Sequence, residues 1–285
     1  MRPIGAGGGI EGEALRESDK TFALIVARYE REVLPGKALS TREKNRAESK
    51  NLLAVFETMP IDAITPRHIR RYLDERGRSA PVRANQERAL FSHIFNHARG
   101  WGYTNGPNPC AGIRGFKETG RDRYVTDDEF RAVYAHADDA LRDAMDLAYL
   151  TGQRPADVLK MMRWDVMAGF LVVQQNKTKQ KLRIAIEGEL RQVVDRIMAR
   201  KTLNEYGWLV VKGDGTRLNA SGLRSRFDRA RKLAGVYFQF RDIRAKTASD
   251  TGDLAHSQSL LGHKGRAMTE HYVRKRQGEK VMPLR

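Results

Sequence analysis

The chain has 285 residues, 40% of them hydrophobic, and a formal net charge of +17, a length that favours two domains over one. No apolar run is long enough to cross a bilayer, and a single cysteine, Cys110, excludes an internal disulfide and a cysteine-rich zinc site. The charge is clustered, with nine Lys or Arg against two acids from Arg217 to Lys246 and four cations without an acid in "QQNKTKQKLR" (174–183), which points to a polyanionic partner such as nucleic acid.

Residues 1–20 are glycine-rich and slightly acidic, lack the apolar core of a signal peptide and read as a flexible tail. Four helical patterns follow. "SDKTFALIVARYEREVLP" has apolar residues at helical spacing and stops at Pro35. "STREKNRAESKNLLAVFETM" opens with Ser40 and Glu43 at capping-box spacing. "TPRHIRRYLDERG" offers Thr65 as N-cap, Pro66 at the first helical position and Gly77 as a stop. "SAPVRANQERALFSHIFNHARGWG" carries an apolar stripe through Leu90, Phe91, Ile94 and Phe95. Residues 21–104 therefore read as a helical bundle.

Residues 105–123, with Pro107 and Pro109, sustain no period and read as a linker. The domain from 124 to 285 opens with a second capping-box pattern, Thr126 and Glu129. "EFRAVYAHADDALRDAMDLAYLTG" predicts two helices and "PADVLKMM" a third. Alternation in "GFLVVQQNKTKQKLRIAI" predicts two strands joined by a basic turn, and "WLVVKGDGTRL" a further short strand. Helical patterns resume at Ser221. The fold class is mainly α with a small antiparallel β-sheet, a helical domain followed by a mixed α/β one.

His93 and His97 have metal-ligand spacing on a helix, but Ile94 stands where a zinc hydrolase needs Glu, so surface histidines are the simpler reading. Four patches in the second domain are more specific. Gly152 ends a helix and Arg154 sits at the start of the next, where free backbone N–H groups also favour an anion. Lys177 lies in the basic turn. Arg241 and Arg244, three apart, would repel on one helix face unless an anion lies between them. In "LLGHKGRAMTEHYVRKR", Gly262 caps a helix, His263 follows at the corner, and Tyr272 is expected on the next helix.

In order and spacing these patches closely resemble the tyrosine recombinases, above all phage and prophage integrases, across about residues 21–285. The matching residues are Arg154 after "TG" with Asp157 three further on, Lys177 in "NKTKQ", Arg244 ending "RDIR", and "LLGH" with Tyr272 nine residues beyond His263. The resemblance implies a helical core-DNA-binding (SAM-like) domain and a catalytic domain that together clamp duplex DNA. It implies Tyr272 as nucleophile forming a 3′-phosphotyrosyl link, Arg154, Arg244 and His263 holding the phosphate, Lys177 as general acid, and Asp157 orienting Arg154. No cofactor and no metal are implied.

A homotetramer on DNA is expected, with "VRKRQGEKVMPLR" docking on a neighbouring protomer, a DNA-bending accessory protein as a possible partner, and the bacterial cytoplasm as the compartment. Arg241 stands where the family usually has histidine, and a guanidinium cannot serve as general base. Residues 1–20 cannot form the arm-site DNA-binding domain of many phage integrases, which implies a simpler recombinase or a chain without that domain. The alternatives are a catalytically weakened DNA-binding relative and a type IB topoisomerase-like enzyme.

Overall fold

The computed structural model describes residue 16, residues 20–200 and residues 206–273. The expected tail, save residues 16 and 20, and the stretch from 274 onward lie outside the described residues. The chain separates into two compact units that divide between Gly120 and Arg121.

The first unit contains α1 (Phe22–Glu32), α2 (Leu39–Phe56), α3 (Pro66–Gly77) and α4 (Pro81–Gly100). Thr21 caps α1, its hydroxyl accepting from the Leu24 N–H. In α3 the Thr65 cap forms a box with His68, and Pro66 takes the first helical position, where its missing N–H is no loss. The Ser40–Glu43 box does not form. Helix α2 begins earlier, at Leu39 after Ala38, because Arg42 reaches back to the carbonyls of Lys37 and Pro35 and fixes the entering chain.

The apolar faces converge on Phe22, Phe56 and Phe91, with the Phe22 and Phe91 rings stacked at 4.9 Å. One charge is buried among them. The carboxylate of Glu87 accepts from the Tyr72 hydroxyl at 2.8 Å, Arg76 Nε at 3.0 Å and Asn51 Nδ2 at 2.7 Å. His93 and His97 pack ring to ring at 4.7 Å, each also against Tyr29. Among the described residues no group of three or more His, Cys, Asp or Glu could hold a metal ion.

The second unit begins with α5 (Asp127–Ala135), where Thr126 and Glu129 exchange both capping-box bonds. Helices α6 (Asp139–Thr151) and α7 (Pro155–Val158) follow. A three-stranded antiparallel sheet then forms from β1 (Val166–Met167), β2 (Phe170–Gln174) and β3 (Lys181–Ala185), in that order. Leu171 and Val173 of β2 face the core. The sequence did not announce β1, whose two residues are too few to show a period. "WLVVKGDGTRL" forms no strand, only isolated bridges Met162–Trp208 and Val211–Arg217. Helices α8 (Gly188–Met198), α9 (Ala220–Leu233), α10 (Asp242–Asp250), α11 (Leu254–Leu261) and α12 (Arg266–Glu270) complete the unit. Helix α10 packs between α6 and α11, which sets the ends of those two helices around it.

Candidate active site

Two left-handed glycines deliver the first groups. Gly152 ends α6 at φ +63°, and a Cβ there would lie 2.9 Å from Leu261 Cδ2. Gly262 ends α11 at φ +64°, with a Cβ position 3.0 Å from Gln175 Nε2 and 3.2 Å from Leu182 Cδ1. Any other residue would meet both an unfavourable backbone and a neighbour too close. Beyond the first glycine, Arg154 stands half-buried as the N-cap of α7. Beyond the second, His263 is buried.

Between them lies Arg244 of α10, only 3% exposed. Its Nη1 donates to the Gly152 carbonyl, and its Nη2 donates to the Leu261 carbonyl at 2.8 Å and to His263 Nε2 at 2.9 Å. Arg244 Nε is buried without a partner. Of the five N–H bonds of a guanidinium, the protein uses three. Burial and the charge of Arg154, opposed by Tyr272, push the Arg244 pKa down to about 10. It remains a cation at neutral pH.

A guanidinium only donates, so Nε2 of His263 accepts from Arg244. The proton of the neutral ring is then on Nδ1, which donates to the Thr269 hydroxyl at 3.1 Å. Burial first, then the charges of Arg244 and Arg154, push the His263 pKa down to about 4. The imidazole is neutral at pH 7.

Tyr272 is half-buried beside this pair. Its ring centroid is 5.1 Å from that of His263 and 5.3 Å from Arg244 Cζ. It is not on a helix. α12 stops at Glu270, and Tyr272 sits in the turn beyond, its N–H donating to the Thr269 carbonyl at 2.8 Å.

Arg154, Arg244, His263 and Tyr272 thus form one cluster. Arg241 is the exposed N-cap of α10 and does not share the burial of Arg244, so the pair expected on one face divides between surface and interior. Lys177 is exposed in the turn between β2 and β3. Asp157 does not orient Arg154. Buried beneath the hairpin, it accepts the Asn176 backbone N–H at 2.7 Å and, among the described residues, makes no ion pair with Arg154. Arg154 Nη1 donates instead to Gln175 Oε1 at 3.2 Å.

Sequence reasoning missed Gln153, Gln175, Thr269 and Lys246, all buried around the cluster or on α10. A signal existed for Gln175, an amide at the inward register of an apolar strand.

The profile of the phage integrase family matches residues 123–279, more than half of the chain. The integrase of Enterobacteria phage 434 is 33% identical over 235 residues, covering 75% of this chain and 64% of that protein. The chain thus spans less than two thirds of that relative's length. A lambda integrase dimer bound to a COC' core site has TM-score 0.82 at 26% identity, covering 92% of this chain and 80% of that one. A lambda integrase tetramer bound to a Holliday junction has TM-score 0.81 at 26% identity, covering 93% and 82%. Its sequence profile and its fold agree, and the chain belongs to the phage integrase family.

Proposed function

We propose that this chain is a site-specific DNA recombinase that cleaves and rejoins duplex DNA through a 3′-phosphotyrosyl link to Tyr272. One observation carries the reading: a buried guanidinium, Arg244, has a second arginine and a phenol beside it, an unpartnered donor, and no carboxylate bonded to it. Such an arrangement suits a phosphodiester.

Arg154 and Arg244 would take the non-bridging oxygens, with Arg241 as an outer phosphate contact. Fixed donors aimed at charge that grows in the transition state are typically worth about 3 to 4 kcal/mol each. As Tyr272 Oη attacks phosphorus its proton needs an acceptor, and Arg241 cannot be one. Nε2 of the neutral His263 can. A phosphate that draws Arg244 toward itself frees that nitrogen and offsets the two charges that depress its basicity. The phenol O–H breaks as the O–P bond forms, the proton passes to His263, and the imidazolium then donates to a phosphoryl oxygen. On the other side the P–O5′ bond breaks and Lys177 protonates the departing oxygen. The phosphotyrosyl ester conserves the bond energy, so a 5′-hydroxyl can reverse the step on another strand.

The substrate is duplex DNA, and the working assembly is a tetramer like that of the lambda integrase bound to a Holliday junction. The bacterial cytoplasm is the proposed compartment. Among the described residues no helix is long and apolar enough to cross a membrane. Nicked duplex DNA carrying the recognition site tests the reading, because loss of the short strand beyond the nick traps the covalent adduct. The wild-type chain is expected to form it and Tyr272→Phe to form none. Strand exchange between two sites marks a recombinase rather than a topoisomerase, and DNA binding without any adduct would refute the enzymatic reading.

A further inference from the structure

Gln175 follows β2 at the register position that Leu171 and Val173 occupy on the core side, and it is fully buried. An amide there is unfavourable unless every polar atom finds a partner. It does. Nε2 donates to Gln153 Oε1 at 2.8 Å and to the Leu261 carbonyl at 2.9 Å. Oε1 accepts from Arg154 Nη1 at 3.2 Å and from the Thr178 hydroxyl at 2.6 Å. Two donors and two acceptors exhaust its capacity.

The partners belong to separate segments. Thr178 adjoins Lys177 in the hairpin turn. Leu261 O also receives Arg244 Nη2 and lies two residues before His263. Gln153 adjoins Arg154, and its own Nε2 donates to the Thr151 and Leu260 carbonyls at 2.8 and 3.1 Å, tying the ends of α6 and α11 together. We propose that Gln175 is a positioning residue that couples the hairpin carrying Lys177 to the Arg154–Arg244 clamp, so that acid and clamp meet one phosphate in register. This rests on the recombinase reading. Gln175 itself touches no substrate; it acts through the guanidinium of Arg154 and the hydroxyl of Thr178.

The test uses the full chain and nicked duplexes that differ in one atom, oxygen or sulfur at the 5′-bridging position of the scissile phosphate. A thiolate leaves without a proton, so sulfur removes the need for a general acid. Lys177→Ala is the reference, slow on oxygen and recovered on sulfur. Thr178→Val, which loses only the hairpin arm, is expected to fall about 10-fold on oxygen and to match the wild type on sulfur. Gln175→Met, near-isosteric but lacking all four bonds, is expected to fall about 100-fold on oxygen. Sulfur should recover only part of that loss, because Arg154 stays loose.

Adduct formation by Gln175→Met at the wild-type rate overturns the proposal, as does a Thr178→Val loss that sulfur leaves unchanged. Should Gln175→Met not fold, the Thr178→Val comparison alone decides. A wild-type chain that forms no adduct on either substrate defeats the recombinase reading instead, a different outcome from a reactive wild type with indifferent variants.

Discussion

Helix α10 carries two buried cations two residues apart, and their surroundings are opposite. Lys246, 1% exposed, has Asp250 Oδ2 at 2.8 Å, Asp127 in contact, and the Tyr124 hydroxyl at 3.4 Å. Burial alone would pull its pKa down, yet the two carboxylates hold it above the ordinary lysine value. Arg244 is nearly as buried but bonds to two carbonyls and an imidazole, with Arg154 repelling it from nearby. Its pKa goes the other way, down to about 10, and the charge of buried Asp157 offsets only part of the effect. Lys246 is neutralised within the chain, as Glu87 is in the helical unit. Arg244 is left with attraction to spare for an anion from outside, which is how a binding charge differs from a structural one.

Arg244→Met should therefore act on chemistry and leave stability nearly alone. Adduct formation is expected to fall about 100- to 1,000-fold, as for the loss of one donor to developing charge. The melting temperature should barely move, since relief of the repulsion from Arg154 offsets the bonds lost to Gly152 and Leu261. A large drop in melting temperature would erase the contrast.

Lys246→Met should do the reverse and destabilise by about 3 kcal/mol, the low end of the cost of breaking a buried ion pair. Asp127 is 55% exposed and can hydrate, which limits the penalty. The shift appears in a urea midpoint, while the folded fraction keeps its reaction rate. Equal losses of stability in the two variants would show that both cations serve the fold.

His263 sharpens the comparison through pH. Its folded pKa of about 4 lies below the ordinary histidine value of 6.5, so the unfolded chain binds a proton that the folded chain refuses. Stability is then indifferent to this group above pH 6.5 and is lost as pH falls toward 4. The loss amounts to about 2 kcal/mol by pH 5. His263→Gln should flatten that part of the stability curve. DNA binding should take up a proton near pH 5.5, because a phosphate offsets Arg154 and Arg244. An identical slope in the variant would mean that His263 is not what titrates.

The sequence displayed whatever follows a period or a local rule. Thr126 and Glu129 formed their box, and the alternation in "GFLVVQQ" and "KLRIAI" gave the hairpin. The groups brought together at the cluster were legible because the family resemblance fixes their order and spacing. Long-range polar partners were not. Gln175 bonds to residues 21, 22 and 86 positions away, and no local pattern encodes such contacts. The same limit explains the misreading of Asp157, whose spacing from Arg154 suggested a pair while packing turned it to the hairpin. Tyr272 was expected on a helix, but α12 has only five residues, too short to be bounded by periodicity.

The smallest expected effect belongs to Thr269, fully buried behind His263. Its hydroxyl accepts the Nδ1 proton at 3.1 Å and thereby fixes Nε2 as the face turned to Arg244 and Tyr272. Thr269→Val keeps the shape and removes the acceptor, a loss of about 1 kcal/mol. Both protonation states of the ring lose the bond, but the imidazolium loses more because its N–H is the stronger donor. The histidine becomes a weaker base. The acid limb of the adduct rate should move to lower pH, and the rate at neutral pH should drop about 5-fold. Loss of packing alone would lower the rate at every pH without moving the limb. The shape of the profile, rather than its height, therefore decides whether Thr269 tunes the proton acceptor or merely fills space behind it.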